Sequence, residues 1–285
     1  MCQFVRLLIL GLCCLSTSFR AEGQNSAYCL PLHNHVPAAF GTGYLGTVSL
    51  GGTLQSRSRL SGDFVNPDGN AMVSVGLGNP TRWVGLQAGL NIYGLSNERG
   101  APDNLLEGSL DLHLNRRIAD TWWLAGGALD LFGWQLAPAH RFTSSYVALT
   151  KVINLSASED SDHSFAKSAY LTIGTGNGRF RSDGTYDLTR SGPFGLLFAT
   201  TLALSTRCHV FAEWSGYSTT AGCYLSPLRQ FPLVLMAGID DVPNKKWKFI
   251  AGAAWGFRLG RAAGQDQSAP GWFLPGIPAP QTSRI

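Results

Sequence analysis

Residues with chemically active side chains recur at every second position in several short segments of this sequence. In "LEGSLDLHLN", residues 106–115, Glu107, Asp111 and His113 alternate with leucines. A period of two places these side chains on one face of a β-strand, whereas a helix would scatter them around its axis. Carboxylates and imidazoles gathered on one face can exchange protons, form ion pairs or line a polar passage.

The same alternation predicts one polar, inward-facing surface along most of the chain. Between the charged positions this face carries mainly Gly, Ala, Ser, Asn and Thr, which suits a confined interior where small residues let a sheet curve. Both signs of charge occur, as expected for an ion-paired network that packs a small barrel or for the lining of a narrow pore. The predicted lumen-facing residues are Glu107, Asp111, His113, Asp130, Lys151, His209, Glu213, Asp240, Lys248 and Arg258.

A glycine-rich stretch, "GTGYLG" at residues 41–46, has the letters of the dinucleotide-binding fingerprint. That fingerprint requires a following helix, whose backbone amides point at a pyrophosphate. Here "TVSLGGTL" follows, and its composition is that of a strand. We interpret the motif as a flexible start of the β-structure and expect no cofactor.

Candidate metal ligands are few and poorly spaced. His33 and His35 are two imidazoles whose nearest third ligand is Cys29, which makes a weak zinc site. The acidic stretch "SEDSDHS", residues 158–164, lacks the glycine and the closing glutamate of a calcium loop. We therefore predict no metal site.

A lipid hydrolase of the outer membrane would need a serine and a histidine paired on its lipid-facing wall. His113 and His209 fall on the predicted inward face, whereas His140 and His163 fall in predicted loops. No serine is placed beside a histidine by a recognisable motif. We predict that the chain is not an enzyme and keep the lipid hydrolase as an alternative.

The elements that must position these residues are about twelve strands. Their lengths are close to the 9–11 residues that cross a bilayer at a tilt, and an even number is typical of bacterial barrels. The predicted strands are 43–54, 70–78, 83–93, 106–115, 121–133, 144–155, 167–178, 192–203, 206–216, 219–226, 232–241 and 246–258.

Connection lengths give an independent indication of a barrel. Long gaps at 55–69, 95–104, 134–143 and 179–191 alternate with short turns at 79–82, at 118–121 and near Ser205. This alternation places the long loops at one end of the sheet, as in barrels with long outer loops and tight periplasmic turns. Residues 156–166 are the exception, being long where a short turn is expected.

The last predicted strand, in "KKWKFIAGAAWGFRLG" at residues 245–260, is aromatic at both ends of one face. Trp247 and Phe249 lie at one end, and Trp255 and Phe257 at the other, with alanines between them. Aromatic residues at two water interfaces around an apolar band are typical of transmembrane strands. These four residues are the predicted membrane girdles, and their face is predicted to contact lipid.

Composition and the chain ends complete the predicted organisation. Only 14% of the 285 residues are charged, below the roughly 25% of soluble domains, and the net charge of +4 is too dispersed for nucleic-acid binding. Residues 1–23 have the form of a secretory signal, with Arg6 ahead of an apolar run. We then expect a periplasmic segment at 24–42, a barrel at 43–258 and a proline-rich tail at 259–285. Cys29, Cys208 and Cys223 would remain after cleavage, and an odd number argues against a disulfide framework.

Three stretches, "SVGLGNP" at 74–80, "IGTGNGRF" at 173–180 and "FAEWSGY" at 211–217, occur together in this chain. In this combination the sequence, from about Gly69 to Phe257, resembles an uncharacterised family of cyanobacterial outer-membrane β-barrels and, more distantly, the YjbH-like barrels associated with exopolysaccharide export. The resemblance implies a barrel with Glu213 directed inward and Trp214 outward. The chain departs from that pattern in its proline-rich tail and in lacking a terminal aromatic residue.

Together these observations predict an all-β protein, an antiparallel transmembrane β-barrel of about twelve strands. The predicted location is the outer membrane of a Gram-negative-type bacterium, with outer-membrane lipid and the barrel-assembly machinery as partners and no nucleic acid. The predicted role is porin-like passage or export of small polar or saccharide material, or a structural role in the envelope. The alternative from another class is a soluble, secreted β-barrel that binds an apolar ligand inside.

Overall fold

The computed structural model describes residues 34–56, 67–93, 95, 107–134, 143–155, 166–181, 192–205, 207–228, 231–242 and 247–259, without the side chain of Arg258. The strands are β1 (Thr47–Gln55), β2 (Asp68–Gly78), β3 (Gly85–Tyr93), β4 (Glu107–Ala119), β5 (Trp122–Trp134), β6 (Ser144–Asn154), β7 (Ser168–Gly176), β8 (Gly195–Ser205), β9 (Cys208–Trp214), β10 (Thr219–Leu225), β11 (Leu233–Asp240) and β12 (Lys248–Arg258). A single turn of 3-10 helix covers Gly178–Phe180. Among the described residues, no helix is long and apolar enough to cross a membrane.

The sheet closes on itself. Every strand pairs antiparallel with its neighbour in sequence, and β1 pairs with β12 from Thr47 opposite Arg258 to Gln55 opposite Ile250. Closure leaves no strand edge unpaired, which removes the risk of edge-to-edge association. The predicted twelve-stranded antiparallel barrel is therefore confirmed.

The two ends of the barrel differ. At the terminal end, where β1 begins and β12 finishes, β4 joins β5 and β8 joins β9 through two-residue steps at 120–121 and 206–207. At the opposite loop end lie the longer connections 56–67, 94–106, 135–143 and 177–194. The connection between β6 and β7, at 155–167, belongs to the terminal end and is long, as the sequence indicates.

The outer face of the barrel is apolar. On β6, Val147 is 52% exposed between the buried residues Tyr146 and Ala148, which shows the alternation directly. A closed sheet with apolar side chains outside is the reverse of a soluble barrel and suits contact with lipid. It also rules out the alternative in which the leucine-rich face binds an apolar ligand inside. Exposed outward residues from around the wall include Leu54, Val73, Leu90, Leu114, Phe132, Val147, Leu171, Leu196, Leu225, Leu235 and Phe249.

Aromatic residues mark both ends of β12 on this outer side. At the loop end Trp247, just ahead of the strand, packs edge-to-face on Phe249 with ring centroids 5.1 Å apart. At the terminal end Trp255 contacts Phe257 at 5.0 Å and stacks on Phe231 at 5.8 Å. The four predicted girdle residues thus lie at the two ends of β12 on its outer side, and their contact with membrane interfaces stays a prediction.

Residues 34–46 pass through the inside of the barrel. This inner segment descends from His35, beside the loop end of β9, to Phe40 near the terminal end, where the chain turns into β1. The sequence assigns residues 24–42 to a periplasmic segment, but the described part of it, 34–42, lies in the lumen instead. The reason is packing, since Val36, Ala39 and Phe40 fill space that would otherwise be empty. The predicted signal and all but the first residue of the predicted tail lie outside the described residues.

The glycine-rich motif forms the turn between the inner segment and β1. Gly41, Gly43 and Gly46 all have positive φ, at 95°, 80° and 79°. A Cβ on Gly43 would lie 2.9 Å from the backbone of Gly85, so this turn also needs a residue without a side chain. Strand β1 consequently begins at Thr47 rather than at residue 43.

Candidate functional site: a half-filled polar lumen

Glu213, near the loop end of β9, holds the start of the inner segment. One carboxylate oxygen accepts a hydrogen bond from the backbone N–H of His35 at 2.9 Å, and the other accepts from the N–H of Val36 at 2.9 Å. Glu213 is buried, so its charge is compensated by backbone dipoles rather than by water. The wall thereby recognises the backbone of the segment.

A second carboxylate, Asp240 at the end of β11, links four strands at the same level. It accepts hydrogen bonds from the hydroxyls of Ser218 at 2.7 Å and Thr220 at 2.6 Å. The ammonium of Lys248 lies 3.2 Å from it and donates to Gln55 Oε1 at 2.6 Å. Since Asp240 and Lys248 are both buried, each neutralises the other.

The imidazole of His35 brings the inner segment into this polar cluster. Its Nε2 lies 3.6 Å from Asp240 Oδ2, and the side chain is 37% exposed. The cluster of His35, Glu213, Asp240 and Lys248, here called the mouth cluster, therefore anchors the segment at the loop end.

Lower in the barrel the segment is held by uncharged groups. The N–H of Ala39 donates to Thr150 Oγ1 at 3.1 Å, and Asn115 Nδ2 donates to the carbonyl of Thr42 at 3.0 Å. The ring of Phe40 packs against Trp123, with centroids 5.0 Å apart and planes at 81°. Trp123 is 1% exposed, so the inner segment and the wall form a dry core here.

A third polar group, on β3–β5, lies away from the mouth cluster. Arg179 binds Asp130 through its Nε at 2.8 Å and through Nη2 at 3.2 Å, and its guanidinium lies over the ring of Tyr93 at 5.0 Å. The Tyr93 hydroxyl donates to Asp130 at 3.0 Å, and the Asp130 N–H donates to Asp111 at 2.8 Å. Such a paired network packs the lumen and presents Asp111 to it.

Asp130 reaches this network through an irregularity in β5. The pairing of β4 with β5 shifts between Leu110 and Leu112, and Asp130 has a φ of 58°. A short polar side chain tolerates this left-handed conformation better than other non-glycine residues do. The shift brings Asp130 to the same inward face as Trp123.

His113, on β4, contacts the packed part of the lumen through Tyr146 of β6. Its Nδ1 is 2.6 Å from the hydroxyl of Tyr146, and its buried Nε2 has no hydrogen-bond partner among the described residues. The Tyr146 ring extends over Gly127, where a Cβ would lie 2.4 Å from the hydroxyl oxygen. The pair has no serine beside it within hydrogen-bonding distance in the described structure, so its geometry is that of a packed polar contact.

The wall formed by β1–β4 faces a less crowded interior, which we call the open side. Met72 shares its inward face with buried Ser74 and yet is 37% exposed. Ser74 hydrogen-bonds to Ser49 and accepts from Gln87 Nε2 at 2.7 Å, and Thr53 donates to Asn70. A Cβ on Gly89 would lie at ordinary van der Waals distance, 3.8 Å, from Asp111 and Ser74, so this wall could accommodate a larger residue at that position.

Most of the predicted lumen residues have inward positions, and one does not. The buried ones are Glu107, Asp130, His209, Glu213, Asp240 and Lys248, and the partly buried ones are Asp111 and His113. Lys151 lies on the outward face instead, because Thr150 and Val152 beside it are the buried residues of β6. Its ammonium lies 4.8 Å from the ring centre of Trp122. A lysine this near the strand end can extend to water along its own alkyl chain. Arg258 pairs with Thr47, and its side chain is outside the described structure.

Several site residues were missed by the sequence analysis. Thr150 and Asn115 are inward and uncharged, and a search for charged residues passes over them. Arg179 follows the strand that ends at Gly176, so no alternation applies to it. The alternation along β4 and β6 places Asn115 and Thr150 on the inward face, and this pattern could have identified them.

The candidate metal ligands lie largely outside the described residues. Within the described ranges, no group of three His, Cys, Asp or Glu side chains could hold a metal ion. His33, Cys29 and the acidic stretch at 158–164 lie outside those ranges. Cys208 and Cys223 are free thiols on neighbouring strands, with partners Leu225 and Val210 rather than each other.

Comparison with known proteins yields likeness in structure alone. No family model and no curated protein matches the chain. A KdgM porin in complex with disordered oligogalacturonate is similar at 9% identity and a TM-score of 0.43, over 74% of this chain and 99% of that one. Ail, the attachment invasion locus protein of Yersinia pestis, is similar at 14% identity and a TM-score of 0.20, over 75% and 100%. Both are outer-membrane β-barrels. At such low scores the likeness adds nothing to the strand pairing described above, and the resemblance to cyanobacterial and YjbH-like barrels stays a prediction.

Proposed function

We propose that this chain spans the outer membrane and passes small polar solutes along the open side of its lumen, while the inner segment fills the other side. The observation that carries the proposal is the contrast across the wall. The outer face is apolar all round, whereas the inward face of β1–β4 is polar and partly solvent-exposed. Lipid outside and water inside is the environment that this distribution fits.

The chemistry of the open side favours uncharged or cationic solutes. Its inward groups are hydroxyls and amides, from Ser49, Thr53, Asn70 and Gln87, with the carboxylate of Asp111 beside them. Hydroxyls and amides can replace the hydration of a polyol or a small cation, whereas a carboxylate repels anions. Saccharide-like solutes of small size belong to this class.

Conductance measurements on a matched pair of variants test the passage. Met72→Trp places a bulky ring in the open side, and we expect it to lower single-channel conductance in a planar bilayer several-fold. Val73→Trp places the same ring on the outward face, where lipid accommodates it, and should leave conductance unchanged. In a potassium chloride gradient the reversal potential should show a preference for cations.

Folding is checked separately from passage. The mature chain refolded in detergent should migrate heat-modifiably on a gel and show β-type circular dichroism. A folded barrel without conductance would contradict the passage and leave a structural role in the envelope. A chain that stays soluble without detergent would contradict membrane insertion itself.

A lipid hydrolase is not favoured by any observation here. The described histidines are His35, His113 and His209, and all three lie inside the barrel. The proposal therefore includes no catalytic step. Alanine substitution of each histidine, followed by an acyl-ester assay on reconstituted protein, would reveal an activity if one existed.

A further inference from the structure

Three arginines and an exposed tryptophan meet at the terminal end of the barrel. Arg82 and Trp83 are in the turn between β2 and β3, and Arg116, Arg117 and Ile118 are in the last part of β4. The backbone N–H of Arg117 donates to the carbonyl of Pro80 at 2.8 Å, which joins the turn to the strand. We call these five residues the arginine–tryptophan patch.

The turn that carries Arg82 and Trp83 has a fixed conformation. Asn79 Oδ1 accepts hydrogen bonds from the N–H groups of Thr81 at 3.1 Å and Arg82 at 3.2 Å. The carbonyl of Asn79 also accepts from the N–H of Trp83 at 2.8 Å. An asparagine that caps its own turn in this way holds the following residues in one orientation. Trp83 is 75% exposed in that orientation, although an indole in water is unfavourable.

The three arginines of the patch are not paired with any acidic residue in the described part of the chain. All three are exposed, and none makes an ion pair with a carboxylate among the described residues. Arg116 and Ile118 continue the outward face of β4 below Leu114. The order along this face is thus apolar residue, arginine, apolar residue, with the exposed indole alongside. An aromatic ring at headgroup depth beside guanidinium groups is the arrangement that suits a lipid–water interface.

The charge balance of the terminal end supports an anionic partner. Asp120 is the acidic residue described at this end, and the further acids Glu159, Asp160 and Asp162 belong in sequence to the β6–β7 connection, at positions outside the described residues. A guanidinium binds phosphate oxygens in a bidentate manner. In a zwitterionic lipid the headgroup's own cation neutralises the phosphate and weakens this attraction, whereas an anionic lipid such as phosphatidylglycerol has no such cation. The described basic residues at this end are Arg82, Arg116, Arg117, Lys151, Lys167 and Arg207.

From this placement we infer that the arginine–tryptophan patch binds the phosphate groups of anionic phospholipids in the leaflet at the terminal end of the barrel. Trp83 and Ile118 enter the interface, and Arg82 and Arg116 contact the headgroups. Arg117 pairs with Trp123 and so lies on the inward face, where it adds positive charge at the rim of the barrel. Short turns at this end keep the strand ends close to the headgroup layer. The inference rests on the membrane insertion proposed above and adds the lipid class that the barrel recognises.

The test compares melting of the full barrel in two kinds of vesicle. The wild-type chain is folded into phosphatidylcholine vesicles with and without phosphatidylglycerol, and melting is followed by loss of the heat-modifiable band. We expect phosphatidylglycerol to raise the melting midpoint at low salt, and high salt to remove the gain. In R82Q/R116Q the gain should shrink, each lost charge weakening attraction to the anionic surface roughly fivefold. In pure phosphatidylcholine the same variant should melt no lower than wild type, because neighbouring like charges have been removed.

A matched control separates the patch from net charge. K245Q/K246Q removes the same charge from the β11–β12 connection at the opposite end and should keep most of the wild-type gain. The inference would be overturned if the wild type melted at the same midpoint in both lipids. It would also be overturned if the arginine variant and the lysine variant lost the stabilisation by phosphatidylglycerol equally. Stabilisation by inorganic phosphate added to phosphatidylcholine vesicles would also overturn it and would indicate a soluble anion instead. If the chain fails to insert into either vesicle, the failure lies with the proposed membrane barrel.

Discussion

The lumen has two sides that differ in the size of their inward residues. On the packed side, formed by β5–β12, the wall contributes Trp123, Tyr146, Tyr170, Phe211 and Tyr224, all nearly inaccessible to solvent. On the open side, formed by β1–β4, many inward positions hold smaller residues, among them Ser49, Gly51, Thr53, Gln87 and Gly89, and the larger Met72 is 37% exposed. One closed sheet thus encloses a tightly packed core on one side and a wall of smaller, partly exposed polar residues on the other.

The inner segment is what separates the two sides. Its apolar residues Val36, Ala39 and Phe40 pack on the β5–β8 wall, where they complete clusters with Trp123 and Tyr146. Its contacts with the open side are polar or made by glycine, as at Gly43 against Gly85. Because interiors tolerate few voids, large residues on one wall select an apolar partner, whereas small polar residues on the other leave room for water. The comparison teaches that the size of the inward side chains decides which side of a small barrel is filled, although both sides share the same alternation of inward and outward residues.

The strongest way to break the comparison is to remove a large residue from each side. Trp123→Ala should lower the free energy of unfolding by about 3–5 kcal/mol, since it opens a cavity beneath Phe40. Met72→Ala on the open side should change it by about 0.5 kcal/mol, because Met72 is already in contact with solvent. Urea unfolding in detergent, followed by tryptophan fluorescence, measures both.

Trp123→Phe is the control for this pair. The phenyl ring preserves most of the packing, and the change removes a buried indole N–H for which the described part of the chain offers no hydrogen-bond partner. A Trp123→Phe variant as unstable as Trp123→Ala would show that something other than volume is lost. Equal losses for Trp123→Ala and Met72→Ala would show that the two sides are packed alike.

The next largest effect concerns the anchor of the inner segment. Glu213→Ala leaves the N–H groups of His35 and Val36 without their acceptor and should destabilise the barrel by about 2–3 kcal/mol. The freed loop end of the segment should also raise the open-channel noise in planar bilayers. Glu213→Gln keeps one acceptor oxygen, so its free energy of unfolding should lie between those of the wild type and Glu213→Ala. An unchanged stability in Glu213→Ala would mean that packing alone holds the segment.

The strand pattern was predictable because alternation is a local property. Each strand records its own faces, so the number of strands, their approximate limits and the outward leucines follow from short stretches such as residues 106–115. Lys151 shows the limit of assigning faces by charge. The parity of Tyr146, Ala148 and Thr150 places it outside, where Trp122 and the nearby strand end accommodate an ammonium group.

The filling of the lumen was not predictable in the same way. It depends on contacts between distant parts of the chain, such as the bond from Ala39 to Thr150 and the bond from His35 to Glu213, 111 and 178 residues apart. A short apolar stretch, Val36 to Phe40, has no period that distinguishes a periplasmic segment from a buried one. The three glycines of "GTGYLG" were the available signal, because closely spaced positive-φ residues let a chain reverse direction.

The smallest expected effect comes from removing a single hydroxyl group on each side of the lumen. Thr150→Val keeps the volume of a buried residue and removes the acceptor of the Ala39 N–H, together with a bond to Thr172 at 2.9 Å. We expect a loss of about 1 kcal/mol in the free energy of unfolding. Thr53→Val, the matched change on the open side, removes a bond to Asn70 at a position where water can substitute, so stability should stay within about 0.5 kcal/mol. If Thr53→Val is the more damaging of the two, water does not reach the β1–β4 wall. The open side would then be a second dry core, and no passage could run along it.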